Sequence, residues 1–201
     1  MKQFIMATAL AAALIAPQAY SQMRNFEGPS LGVNLNAANT SNEFSVGGAS
    51  FKNSDNSQSG NLQLAYGFAA SDSFVLGVGL TYGPGDFKAG AVTTGGVGYE
   101  LKAKDLYSLY FEPGFLVANS TLAYGKVSYQ GMKGETKLST GVTLSDNFTG
   151  TGYGAGIRTM LSPHLYLQAE FEQVGYTERS NSGLTSKPTA TVGSVGLGYR
   201  F

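Results

Sequence analysis

Residues 61–82 read NLQLAYGFAASDSFVLGVGLTY. Leu62, Leu64, Tyr66 and Phe68 alternate with Asn61, Gln63, Ala65, Gly67 and Ala69. After the polar run Ala70-Ser71-Asp72-Ser73, Phe74, Leu76, Val78, Leu80 and Tyr82 alternate with Val75, Gly77, Gly79 and Thr81. A period of two on both sides of a short polar turn is a β-hairpin. The sizes of the two faces decide its setting. In a soluble barrel the bulky side chains fill the core. Here one face is uniformly large and apolar, and the other is mostly small or polar. That distribution suits a narrow barrel with its apolar face in lipid and its small, polar face in a crowded lumen.

The pattern spreads outward from this hairpin. Leu31, Val33 and Leu35 of 30–38 point to lipid, as do Val97, Tyr99 and Leu101 of 94–103. So do Tyr107, Leu109, Phe111, Phe115 and Val117 of 106–118, and Tyr153, Ala155, Ile157 and Leu161 of 148–161. Leu165, Leu167, Ala169 and Phe171 of 165–176 complete the set before a last strand at 188–201. The fold class is therefore all-β, an eight-stranded antiparallel up-and-down transmembrane barrel. Tight connections are expected at 70–73, Lys104-Asp105 and Ser162-Pro163-His164, and longer ones at about 39–59, 84–93, 119–147 and 178–187. Short and long alternate, as periplasmic turns and outer loops do. Glu43 to Phe51 and Thr121 to Tyr129 alternate well enough to form hairpin arms above the membrane. Pro113 falls inside a strand of a closed barrel, where it has no N–H to donate, so a bulge or a broken pairing is expected there.

Composition agrees. The 201-residue chain is 13% charged, against about 25% in soluble domains, with 28 Gly, 12 Tyr, 12 Phe and no Cys. Zero net charge argues against a nucleic-acid partner, and the lack of Cys excludes thiolate metal sites. Lys2, the apolar run Phe4 to Ala16 and the small-x-small Ala19-Tyr20-Ser21 read as a secretory signal peptide over 1–21, leaving a mature barrel domain at 22–201. The run is shorter than the roughly 18–20 residues of a spanning helix.

The chain ends TVGSVGLGYRF, with Val195, Leu197, Tyr199 and Phe201 on one face. A closed barrel pairs its last strand with its first, because an open edge in hydrocarbon is too costly. The alternating apolar residues and terminal Phe201 resemble the C-terminal signature of bacterial outer-membrane proteins. The whole of 22–201 resembles the small eight-stranded barrels of the OmpA/OmpX type, which include the opacity-like, Ail/Lom-like and OmpW-like proteins. The resemblance implies an integral outer-membrane location. It also implies that Val195, Leu197, Tyr199 and Phe201 are read by the barrel-assembly machinery, and that the role is structural and interactive through surface loops.

Candidate chemistry lies inside the barrel. Glu100, Lys102, Glu112, Arg158, Glu170, Glu172 and Arg200 fall on lumen-facing positions. A charge in a narrow lumen must be paired, so these residues form a salt-bridged plug or line a narrow polar pore. With the 162–164 turn setting register, Arg158 lies opposite Gln168 and pairs with Glu170 or Glu112. With a 104–105 turn, Glu100 lies opposite Tyr110. No enzyme is expected: the one histidine, His164, sits in a turn with no nucleophile placed for it, and GTGYGAG at 150–156 lacks dinucleotide-loop spacing. No catalytic residue, cofactor or metal site is assigned. Expected partners are outer-membrane lipid and lipopolysaccharide, and a host or surface ligand at the loops; Lys126, Lys133 and Lys137 of the longest loop are either solvated loop charges or contacts to lipopolysaccharide or a host polyanion. The barrel is expected to be a monomer. The alternative function is a narrow porin-like channel for small or hydrophobic solutes.

Overall fold

The alternation carries nearly all of the mature chain into strand. The computed structural model describes residues 25–46, 49–94, 97–139, 143–181 and 184–201. Within these, the side chains of 42–53, 86–103, 136–138, 144, 146 and 179–186 are not described. The signal-peptide segment 1–21 lies outside the described residues. The strands are β1 Gly28–Val46, β2 Ala49–Ala69, β3 Phe74–Thr94, β4 Val97–Ala118, β5 Thr121–Leu138, β6 Thr143–Met160, β7 Leu165–Tyr176, β8 Arg179–Asn181 and β9 Leu184–Arg200. From β1 to β7 each strand pairs antiparallel with the next, β7 and β8 both pair with β9, and β1 closes on β9 from Ser30↔Arg200 to Val46↔Leu184. β8 lies beside β9 just beyond the end of β7, Gly175↔Thr189 giving way to Arg179↔Ser186. β7 and β8 thus occupy one place, and the wall is an eight-stranded closed barrel.

The count of eight stands, but its make-up changes: the expected strands 94–103 and 106–118 are one strand, β4, and a strand that was not expected, β5, lies within 119–147. Lys104-Asp105 is not a turn. β4 runs through it, with Asp105 at φ 51° and register shifts on both flanks, so the polar pair forms a bulge. Asp tolerates the left-handed region in a bulge as well as in a turn, so the local signal was ambiguous. Residues 119–147 are not one loop: Asn119 and Ser120 make a tight turn, and β5 and β6 follow. Thr121 to Tyr129 is therefore a wall strand beside β4 and β6, not an arm above the membrane. Glu100 faces Ala91 and Lys137 instead of Tyr110. The Glu43–Phe51 arm is present as the paired ends of β1 and β2, Phe44↔Phe51 and Val46↔Ala49. Pairing toward β5 skips Glu112 and Pro113, then resumes in the same register at Gly114↔Tyr124, while Leu76↔Pro113 holds on the other side.

The outward face divides by height. Leu35 is 77% exposed and Phe201 66%, and the row of large apolar side chains is exposed all round. Phe74 packs on Phe115 at 4.6 Å and Tyr199 on Phe201 at 5.2 Å at the end that carries the termini. Tyr82, Tyr107, Tyr129 and Tyr153 mark the other limit on β3 to β6. From Phe74 to Tyr82 is nine residues, within the roughly 9–11 that a tilted strand needs to cross a bilayer. Beyond that level the outward residues turn polar, as Asn39, Asn56 and Gln58 do, and the strands continue as a tube above the membrane. The long connections expected between strands are mostly built this way. Short turns and termini mark the periplasmic end.

Inside, four tyrosines lie directly across from glycines: Tyr110 from Gly79, Tyr124 from Gly156, Tyr166 from Gly198 and Tyr176 from Gly150. A Cβ at any of these glycines would run into the ring. The high Gly and Tyr contents are thus two halves of one packing device in a lumen barely wide enough for side chains.

Candidate functional site

The lumen is filled in layers. At the periplasmic mouth, Phe26 lies just ahead of β1 and packs against Val75, Leu122 and Tyr124, with Leu116 and Met160 around them. Its carbonyl passes so close to Gly67 that a side chain there would collide with the backbone.

Above Phe26 lies an ionic layer. Arg158 on β6 donates from Nη2 to Glu112 Oε2 of β4 at 2.9 Å and from Nε to Gln168 Oε1 of β7 at 3.0 Å. Its guanidinium lies 5.0 Å from the Tyr124 ring centre and 5.1 Å from that of Tyr166. Next comes Lys126 on β5, 2.7 Å from Glu170 Oε1 and 3.4 Å from Glu172 Oε2, and 4.7 Å from the centre of the Tyr110 ring. Tyr124 OH donates to Glu170 Oε2 at 3.2 Å, and Ser128 and Gln130 donate to Glu172 Oε1. Both cations keep aromatic faces and carboxylates together, as buried charges must.

Amides complete the cross-section. Gln168 Nε2 reaches Asn34 Oδ1 at 2.8 Å and Gln63 Oε1 at 2.6 Å, Gln63 Nε2 reaches Tyr110 OH at 2.6 Å, and Asn34 Nδ2 reaches Asn61 Oδ1 at 2.7 Å. Side chains of β1, β2, β4, β5, β6 and β7 are tied into one lattice across the barrel. Two cavities flank it. One of about 20 Å³ lies below, lined by Glu112, Arg158 and Tyr166, and one of about 110 Å³ lies above.

Of the expected lumen charges, Glu112, Arg158, Glu170 and Glu172 come together. Arg158 lies opposite Gln168 and takes Glu112, while Glu170 goes to a lysine. That lysine, Lys126, is a correction: it is buried in the barrel core and cannot reach lipopolysaccharide from a loop. It was missed because 119–147 read as loop, although Ala123, Gly125, Val127 and Tyr129 alternate with Tyr124, Lys126, Ser128 and Gln130. Lys133 lies on β5 beside Asp105 at 3.4 Å. The side chains of Glu100, Lys102 and Lys137 lie outside the described residues. Arg200 sits at the periplasmic rim, away from the lattice, donating to the Glu27 and Pro163 carbonyls at 3.2 and 3.1 Å. His164 is exposed in its turn, 5.5 Å from Tyr199 in a stacked arrangement, with Nδ1 3.0 Å from the Arg200 carbonyl oxygen. Val195, Leu197 and Tyr199 face outward on β9, and Phe201, just past its end, is exposed as well.

Comparison with known proteins places the architecture. The attachment invasion locus protein Ail of Yersinia pestis is 20% identical over 87% of this chain and 99% of its own, with a TM-score of 0.50. Neisserial surface protein A is 17% identical over 87% of this chain and 100% of its own, also at 0.50. The outer-membrane protease OmpT of Escherichia coli is 8% identical over 92% and 99%, at 0.47. No curated protein matches the sequence. The profile of the family described as outer membrane protein beta-barrel domain matches residues 6–201, and with a closed, lipid-faced, eight-stranded barrel already built from its residues, this chain belongs to that family and is an integral protein of the outer membrane.

Proposed function

We propose that this chain is a non-enzymatic surface-interaction barrel, acting through the strand-built tube and hairpin tips that rise above the outer leaflet. The observation that carries this reading is the closure of the lumen. The Phe26 cluster seals the periplasmic mouth, and the Arg158–Glu112 and Lys126–Glu170–Glu172 pairs fill the section above it. A barrel blocked by its own core is a rigid scaffold, and a rigid scaffold that lifts polar tips from the membrane suits binding. The role of Glu112, Arg158, Glu170 and Glu172 is then a plug. Val195, Leu197, Tyr199 and Phe201 serve assembly through the C-terminal strand, and the barrel works as a monomer among lipopolysaccharide.

The test joins two assays. In a planar bilayer, refolded 22–201 should show no discrete openings. On cells, replacing the tip 42–53 by a two-residue turn should reduce attachment to host cells or matrix. Regular conductance steps altered by Arg158→Ala would overturn the reading.

One observation favours the channel alternative. Where pairing skips Glu112 and Pro113, the outer wall carries a shallow apolar depression lined by Pro113, Ala123, Gly125 and Ala155 between Phe74, Phe115 and Phe171. A gap in the ladder that faces hydrocarbon suits sideways release of an apolar solute. Flux of such a solute that survives removal of the tips would select this reading.

A further inference from the structure

Above the lattice the tube encloses a blind cup of about 110 Å³, lined from Gln63 and Gln168 up to Thr40 and Ser57. Its two walls differ in chemistry. On β1, β2 and β4 it is lined by amides and hydroxyls, among them Asn36, Ser59, Asn61 and Ser108. On β5, β7 and β9 the polar residues Lys126, Gln130, Glu170, Glu172 and Ser194 line the floor, and above them the wall is Met132, Tyr176, Ala190 and Val192, part of an apolar cluster with the fully buried Val174 and with Phe148. The polar side chains are held in place. Asn36 Nδ2 donates to Ser59 Oγ at 3.2 Å, and Asn61 Oδ1 accepts from Asn34 at 2.7 Å. Each such bond takes one of an amide's four hydrogen-bonding valences. The Ser108 hydroxyl, at the base, is buried without a hydrogen-bond partner.

Two classes of ligand suit this cup poorly. A wholly apolar molecule would strip water from the amide wall without replacing its hydrogen bonds. An anion would meet two carboxylates at the floor, Glu170 and Glu172, held by the single ammonium of Lys126 at 2.7 and 3.4 Å. A neutral molecule with a hydrogen-bonding edge and a C–H face satisfies both walls at once, the second by packing on Tyr176 and Met132. The cup is smaller than the cavity of about 150 Å³ that takes up a benzene ring, so a six-membered ring enters it only part-way and the rest stands out toward the exterior.

We propose that the cup is a binding site for a hexose-sized polyol, free or as the terminal residue of a glycan, entering from the cell exterior. Because the floor is closed, the site holds its ligand and does not pass it on. It is independent of whatever the hairpin tips bind.

The experiment is saturation-transfer NMR on the full barrel refolded in dodecylphosphocholine, a detergent without a sugar headgroup. The probes are glucose, galactose and N-acetylglucosamine at millimolar concentration. Saturation should reach the ring protons of at least one sugar. It should fall at least fivefold in Ser59→Phe, which fills the cup, and in Tyr176→Ala, which removes the packing wall. Heat-dependent gel mobility identifies which variants are folded, and either one suffices. Repeating the measurement with the responding sugar linked through its reducing end to a soluble polymer separates the sources: a retained signal assigns a glycan terminus, and a signal from the free sugar alone assigns a small solute. No transfer to any sugar from the folded wild type, or undiminished transfer in a folded variant, overturns the proposal.

Discussion

Arg158 and Lys126 carry the interior at the scale of single residues. Each is a cation buried in a membrane-spanning tube, and each is tolerable only because carboxylates and tyrosine faces surround it. Removing one partner of such a pair leaves the other charge buried alone, at a cost of about 3–5 kcal/mol. Arg158→Ala, which strands Glu112, should therefore lower urea-unfolding stability in lipid vesicles by that amount. Glu172→Gln should cost far less. Glu170 still partners Lys126, and the amide keeps an acceptor for Ser128 and Gln130. Gly67 is constrained in another way, by backbone. Gly67→Ala must displace the Phe26 carbonyl, so it should destabilise by about 1–3 kcal/mol through forced shifts. A thermal melt followed by circular dichroism measures this. The inward positions of Arg158, Glu112, Glu170 and Glu172 were legible from alternation alone. Their partners were not all legible, since Lys126 belonged to a strand that read as loop.

Strands obey the pattern, and irregularities within strands do not. The lipid face of β1 offers a clean case. Val33 is exposed between Leu31 and Leu35 in the apolar band, so Val33→Arg should cost about 2–4 kcal/mol, as a cation near the bilayer midplane does. Vesicle-based equilibrium unfolding tests this. β4 carries two interruptions. The bulge at Lys104-Asp105 reads locally like a turn, because both use a short polar residue at positive φ. Only the pairing of β4 with β3 and β5 on both sides of it shows that the strand continues. At Pro113 the missing N–H is visible in sequence, and the skipped pairing with β5 follows from it. Pro113→Val restores a donor. Hydrogen exchange at Gly125 and Lys126 should slow severalfold if the ladder closes there, and an unchanged rate would mean that something else holds the strands apart.

For the molecule as a whole, closure in the membrane and elevation above it are separate properties. The band between the Phe74 and Tyr82 levels contains the apolar girdle and the ionic lattice, whereas the pairing of β1 with β2 beyond Ser41↔Ser54 lies above that band. Replacing 42–53 by Asn-Gly should leave the heat-dependent gel shift intact and move the melting temperature by only a few degrees. Loss of the folded band would mean that the tube above the membrane helps to hold the barrel shut.

The sequence by itself determined that the chain is a membrane barrel, which faces point to lipid, and which end closes on which. Those follow from a period of two, from the sizes of the two faces and from the absolute cost of an unpaired edge in hydrocarbon, and all three are local or universal. Only the tertiary structure decided that Arg158 takes Glu112 while Lys126 takes Glu170 and Glu172, that Phe26 closes the mouth, and that the outer tube holds a two-faced cup. These depend on side chains from several strands meeting across the lumen, a distance set by strand tilt and register around the closed ring that no single segment encodes.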